Sequence, residues 1–333
     1  MKALVTGGLG FIGSNFVRSY LGEHRDAQIV NLDALKYGSS PDNLFCVQDD
    51  ERYSFVQGDI SDLDLVSRLV RDVDVVVNFA AETHVDRSIS DPSSFLESNV
   101  RGVFTMLEAL RKSNLTARLV QISTDEVYGD ALEGSFTERD QIRPSSPYSA
   151  SKASSDVFVL AYARTYGLDA MITRCTNNYG PSQFPEKLVP KTIIRNLMSL
   201  LIPVYGTGKN VRDWIYVQDH CKAIEMVIDS GKPGEIYNIS SGQEMTNLEV
   251  VEKILEYMGK DEDSIEFVED RPGHDLRYSL DSSKIKNELG WRPEHGFEEG
   301  IEETVRWYLE NEDWWRPLAD ARVLHPTPWK LEW

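Results

Sequence analysis

Along the first half of the chain, short apolar runs alternate with stretches of helical periodicity. Residues 2–5, 28–32, 54–57, 73–79 and 118–123 predict buried strands rich in β-branched residues. Between them, residues 12–21, 63–69 and 95–111 predict helices. Strands alternating with helices predict an α/β fold with a doubly wound parallel sheet and right-handed crossovers. A long helix at 148–166 and a strand at 169–174 extend the pattern. The stretch 177–209 breaks it, because Gly180, Pro181, Pro185, Pro190, Pro203, Gly206 and Gly208 mark it as loop-rich. Helices are expected again at 247–258 and 297–309, and the Trp- and Pro-rich stretch 314–333 reads as irregular but docked. This predicts a first domain over residues 1–176, with a return segment near 212–239, and a smaller α/β lobe from 177–211 and 240–333.

Composition excludes several classes. The 333 residues are 41% hydrophobic and 27% charged, an ordinary globular balance rather than a disordered or collagen-like one. With 54 acidic and 35 basic side chains the formal charge is -19, which argues against a nucleic-acid partner gripped through its phosphates. Asp74 and Asn78 interrupt the apolar run 73–79, and no run approaches the roughly 18 residues of a membrane span. Residues 1–5 are too few for a secretory signal ahead of the first glycines, so no export and no membrane partner are expected. Cys46, Cys175 and Cys221 lack paired or CxxC spacing, which fits a reducing cytoplasm. His84, His220 and His274 are irregularly spaced with no completing carboxylates, so no metal is expected.

Candidate chemistry begins at Thr6. Gly7, Gly8, Gly10 and Gly13, with Phe11 and Ile12 among them, follow a predicted strand and open a predicted helix. Missing side chains there let backbone and helix start approach a pyrophosphate, as in a Rossmann dinucleotide site. Asp33, at the end of the next strand, stands where a carboxylate bonds ribose hydroxyls and repels a 2′-phosphate, favouring NAD over NADP. Asp59 and Ile60 follow the third strand and would lie beside the adenine.

Tyr148 and Lys152 share one helical face at i,i+4 spacing, and a lysine cation beside a phenol lowers the phenol pKa. Thr124 ends the preceding strand and completes a Thr-Tyr-Lys set. With the glycine loop, these residues resemble the extended short-chain dehydrogenase/reductase family over nearly the whole chain. Asp125 and Glu126 add something that alcohol oxidation or 4-epimerisation does not need. Two adjacent carboxyls can split into a base and an acid, as elimination of water beside a ketone requires.

Further stretches narrow the resemblance to the dTDP-glucose 4,6-dehydratase family: Ala80-Ala81-Glu82-Thr83-His84-Val85-Asp86-Arg87-Ser88-Ile89, Asn177-Asn178-Tyr179-Gly180-Pro181, Phe184-Pro185-Glu186-Lys187-Leu188, Pro203-Val204-Tyr205-Gly206, Arg212-Asp213-Trp214-Ile215-Tyr216-Val217 and Arg271-Pro272-Gly273-His274-Asp275. Leu9 and Thr83 depart from the usual Ala and Ser without removing a needed group. The resemblance implies a tightly bound NAD touched also by Ala34, Leu35, Lys36, Ala80, Ala81, Ser98 and Asn178. It implies dTDP-glucose as substrate, met by Thr83, His84, Asn177, Lys187, Leu188, Pro203, Tyr205, Arg212, Asn247, Arg271 and His274, with Tyr205 stacking on the base. Asn247 also reads as a helix N-cap. Helices 95–111 and 148–166 resemble those of a homodimer seam. The product would feed a deoxysugar route, rhamnose or a secondary-metabolite sugar. The competing readings are another nucleotide-sugar 4,6-dehydratase, a UDP-sugar 4-epimerase, and a non-catalytic NAD-binding regulator.

Overall fold

Buried β-branched segments need both faces covered, and here they lie side by side in a seven-stranded parallel sheet with helices on each face. The computed structural model describes the backbone of residues 1–333 and every side chain except that of Glu262. In chain order the strands are β1 (Lys2–Thr6), β2 (Gln28–Asp33), β3 (Tyr53–Gln57), β4 (Val75–Asn78), β5 (Arg118–Thr124), β6 (Ala170–Cys175), β7 (Asn177–Tyr179), β8 (Ile202–Tyr205), β9 (Val211–Tyr216), β10 (Ile236–Ile239), β11 (Glu244–Thr246) and β12 (Ile265–Val268). The large sheet runs β3-β2-β1-β4-β5-β6-β10. Chain order reverses between β2 and β4 on either side of β1, so a crevice opens beyond the carboxyl ends of these strands.

Phe16, Val17 and Tyr20 of helix Phe11–Glu23 and Ile224 and Val227 of helix Val217–Ser230 cover one face of the sheet. Met106, Leu107 and Leu110 of helix Gly102–Ser113, with Val159 and Tyr162 of helix Pro147–Tyr166, cover the other. A separate apolar cluster joins Tyr179, Ile193, Trp214, Ile254, Ile301 and Trp315 around the small sheet β11-β9-β7. β8 and β12 form a further parallel pair.

Three local expectations are corrected. The stretch 177–209 carries β7, β8 and helix Leu188–Leu197. Pro190 does not break that helix because it stands in the first turn, where backbone N–H groups have no intrahelical acceptor. Residues 95–111 are not one regular helix: a wider turn spans Leu96–Arg101, and Gly102, where a Cβ would meet Ile60 at 2.5 Å, starts the α-helix. The cap of helix Asn247–Tyr257 is Thr246, whose hydroxyl accepts from Glu249 N while Glu249 reaches back, so Asn247 is its first residue. The stretch 314–333 is docked as expected, with Trp315 buried and its indole N–H donating to Tyr308 O at 2.8 Å.

Candidate active site

The glycine loop is shaped by what it cannot hold. Gly7 has φ +70°, and a Cβ there would lie 2.6 Å from the Ala80 nitrogen; at Gly13 it would lie 2.5 Å from the Gly7 carbonyl. Backbone thus packs on backbone, and helix Phe11–Glu23 begins at the cleft with Gly10 as its cap. Leu9 contributes through its backbone: its N–H donates to Asp33 Oδ2 at 3.0 Å. Asp33 also accepts from Leu35 N at 2.8 Å and Ser39 Oγ at 3.1 Å. Burial pushes its carboxyl up and these bonds oppose the rise. Lys36 reaches Asp59 at 2.7 Å across the neighbouring wall. A dinucleotide fits this cradle on the structure's own terms: bare backbone where a phosphate must approach, then a held carboxylate.

Further along the same cleft, β5 ends at Thr124 and the chain turns through Asp125–Val127. The Thr124 hydroxyl accepts from Glu126 N at 3.3 Å and donates to Asp125 Oδ1 at 3.1 Å. Helix Pro147–Tyr166 starts from a Ser146–Ser149 capping box with Pro147 in its first turn, which places Tyr148 and Lys152 against that strand end. The wider turn Leu96–Arg101 aims Asn99 at the 80–84 loop: its side chain accepts from Glu82 N and donates to Glu82 O and Ser151 Oγ, at 2.8, 3.0 and 2.8 Å.

The two carboxyls differ. Burial, then the charge of Glu126, raises Asp125 well above the carboxylate range. Burial also raises Glu126, but the cations Arg271, Arg212 and Lys187 draw it back. Asp125 Oδ2 is buried without a hydrogen-bond partner among the described residues. The geometry therefore favours a protonated Asp125 beside a more readily ionised Glu126.

The protein groups around Tyr148 oppose its ionisation. Burial, then Glu126, holds its phenol well above the ordinary value rather than below it. Lys152, lowered by burial, donates to Ile122 O at 2.6 Å. A lowered phenol pKa thus requires more positive charge than Lys152 alone brings to this site.

Gly7, Gly10, Phe11, Ile12, Gly13, Asp33, Ala34, Lys36, Asp59, Ile60, Ala80, Ala81 and Ser98 line one continuous cleft with Thr83, His84, Thr124, Asp125, Glu126, Tyr148, Lys152, Asn177, Asn178 and Lys187. Leu35, Leu188, Pro203, Tyr205, Arg212, Asn247, Arg271 and His274 lie outside that lining. Two of them meet at the buried Asp86, which accepts from Tyr205 OH and from Arg271 Nη1, each at 3.0 Å. Arg212 donates to the carbonyls of Val211 and Asp275 and lies 4.0 Å over the Tyr278 ring. His274 pairs with Asp270 at 2.6 Å, and Lys187 donates to Thr83 O at 3.0 Å.

Several residues had not been singled out. Asp86, Arg87, Phe184 and Glu186 lay inside the quoted stretches, so the signal was present, but their partners were not legible. His220 Nδ1 meets Asn178 Oδ1 at 2.9 Å, and burial lowers this imidazole to about 3, so it stays neutral and holds the amide. Away from the cleft, Glu23, His24 and Glu225 bring ligand atoms within 4.8 Å of one another. Lys222 reaches the two glutamates at 2.8 and 2.9 Å and supplies a cation there.

Residues 4–304 match the family described as GDP-mannose 4,6 dehydratase. The low-salt glycan biosynthesis protein Agl12 of Haloferax volcanii is 53% identical over 94% of this chain and 100% of its own. A dTDP-glucose 4,6-dehydratase of Streptomyces niveus is 49% identical over 98% of each chain. The crystal structure of DesIV, a dTDP-glucose 4,6-dehydratase from Streptomyces venezuelae with NAD and TYD bound, superposes with a TM-score of 0.94 at 50% identity, covering 96% of this chain and 100% of that one.

Proposed function

The chain belongs to the GDP-mannose 4,6-dehydratase family, and we infer from its site that it is an NAD-dependent lyase converting dTDP-glucose to dTDP-4-keto-6-deoxy-glucose and water. The observation that carries this reading is the Asp125–Glu126 pair at the end of β5, with Asp125 buried, Glu126 half-buried and their carboxyls unequally disposed to hold a proton. Oxidation or 4-epimerisation has no use for such a pair; elimination needs both members.

The Gly7–Gly13 loop, Asp33 and the Lys36–Asp59 wall would hold NAD, which when bound supplies the acceptor, and later the donor, of an electron pair. Tyr148 takes the proton of the sugar C4 hydroxyl while Thr124 holds that oxygen. Lys152 and the positive nicotinamide end offset the burial that keeps the phenol protonated. Once C4 is a ketone, the C5 proton is acidic. Glu126 removes it, and Asp125 passes its proton to the C6 hydroxyl, which leaves as water. Glu126 then returns the proton to C5 as C6 is reduced. Tyr148 has by then gained the one proton that Asp125 gave away, and its return to Asp125 through solvent resets both groups, so proton and electron balances close with no net redox change.

In this proposal residues 1–176 and 212–239 serve the cofactor, a division supported by β10 joining the large sheet beside β6. Residues 177–211 and 240–333 serve the nucleotide sugar; Lys187 and Arg271 from these segments, with Arg212 at the start of the return segment, offset the repulsion between a -19 protein and a dianion. Exposed Phe104, Val157, Phe158 and Tyr166 on the two helices of the sheet's second face support a homodimer through that face. Three unpaired cysteines support a cytoplasmic setting.

The deciding experiment is turnover of dTDP-glucose deuterated at C4, followed by mass analysis. The expected product is lighter by one water and carries deuterium at C6. Deuterium retained at C4 of a galactose-configured sugar would instead establish an epimerase.

A further inference from the structure

A redox-neutral cycle has a physical requirement: the electron pair removed from a sugar must return to the same sugar. A cofactor that leaves midway strands both partners, so the walls that retain it are part of the chemistry. Tyr37, on the loop after β2, and Phe184, on the loop after β7, meet with ring centroids 4.9 Å apart. Both line the cleft that also holds the glycine loop and Tyr148. Arg87 lies 4.1 Å over the Tyr37 ring and is paired with Glu82 at 2.7 Å. These contacts tie the cofactor loop to the loops of the sugar side.

Trp333 stands behind this contact. Its indole is edge-on to Tyr37 at 5.4 Å and to His84 at 6.4 Å. Arg87 and Arg322 lie 5.2 and 4.8 Å from its ring, and its N–H donates to Pro328 O at 3.1 Å. The turn Pro328–Lys330 in turn packs on helix Val85–Ser90, and its Trp329 is edge-on to Tyr205 at 4.8 Å. One segment thus touches the cofactor loop, the 84–90 helix and the sugar side together.

We propose that Trp333 is a positioning residue for cofactor retention, a brace that keeps Tyr37 and Arg87 closed against Phe184 over the cleft between turnovers. The proposal rests on the redox-neutral reading above. Trp333→Ala removes two ring contacts and two cation contacts from the outside of the wall without touching the reacting groups.

The test uses the purified holoprotein mixed with excess isotopically labelled NAD, with uptake of label timed and melting temperature and turnover measured alongside. Trp333→Ala is expected to exchange NAD about tenfold faster than wild type. Its turnover at saturating NAD should stay within about twofold, and Trp333→Phe should recover most of the retention. Exchange within about twofold of wild type in Trp333→Ala overturns the proposal, as does a Phe variant as leaky as the Ala variant. Deuterium transfer from C4 to C6 in the same samples separates the two ideas. Intact transfer with unchanged exchange removes the brace alone, whereas loss of the C4 deuterium from the product of the wild type removes the redox-neutral cycle and the brace that rests on it.

Discussion

The two sides of the cleft are made by different means. On the cofactor side the groups that matter are backbone: Gly7 and Gly13 exist to let N–H and C=O groups approach, and Asp33 is held by the N–H groups of Leu9 and Leu35. On the sugar side they are polar and charged side chains paired across long stretches of chain, as when Asp86 accepts from Tyr205 and Arg271, 119 and 185 residues away. Backbone constraints are local and steric, so they tolerate little substitution. Ion pairs are global and electrostatic, so they answer to pH and charge. Asp125 and Glu126 sit where the two meet, at a strand end on one side and facing Arg212, Arg271 and Lys187 on the other.

The largest effect is expected at that junction. Replacing Asp125 by Asn and Glu126 by Gln together should cut formation of the keto-deoxy product about a thousandfold or more, given the weight of general acid and base groups. The first oxidation should survive, because removing the Glu126 charge also removes a cause of the raised Tyr148 pKa. Absorbance of reduced nicotinamide accumulating on the double variant, with no loss of water from the sugar, is the expected signature. Full turnover by this variant would remove the acid–base assignment.

Next in size is the backbone side. Gly7→Ala places a Cβ 2.6 Å from Ala80 N and 2.8 Å from the Phe79 carbonyl carbon, at φ +70°. Left-handed strain of about 1–2 kcal/mol and overpacking of about 1–3 kcal/mol add to roughly 2–5 kcal/mol. Denaturant titration should show that loss together with weaker NAD retention. An alanine variant of native stability would mean that the loop relaxes, and the contrast between the two sides would blur.

This contrast also explains what could be read in advance. The glycine spacing, Asp33, and Tyr148 with Lys152 were legible because their geometry follows from short separations along one chain. The dehydratase resemblance, carried by Asp125-Glu126 and the sugar-side stretches, was borne out by the relatives. Helix Leu188–Leu197 was missed because Pro190 signals a break unless its place in the first turn is known. The turn Leu96–Arg101 was missed because its widening serves Asn99, whose partners Glu82 and Ser151 lie elsewhere in the chain. The burial of Tyr148 and the facing Glu126, which raise its phenol, were not legible for a similar reason: both are properties of the fold.

The smallest of these effects belongs to the sugar side and is the most specific to it. Glu186 is buried and lies 3.0 Å from His84 Nδ1. Burial alone would raise its carboxyl, but His84, Lys187 and Tyr37 together bring it down to about 2. Its folded pKa is below its unfolded one, so the stabilisation is fully present above the ordinary Glu value near 4.5 and is lost as pH falls through about 2. Glu186→Gln mimics the protonated form. It should lose at most roughly 3 kcal/mol at pH 6, the upper bound set by a shift of that size. Unfolding measured from pH 6 downward should show the two proteins converging below pH 4.5. Parallel curves across that range would mean that His84 and Lys187 do not favour the ionised Glu186, and that shape rather than charge holds this wall of the cleft.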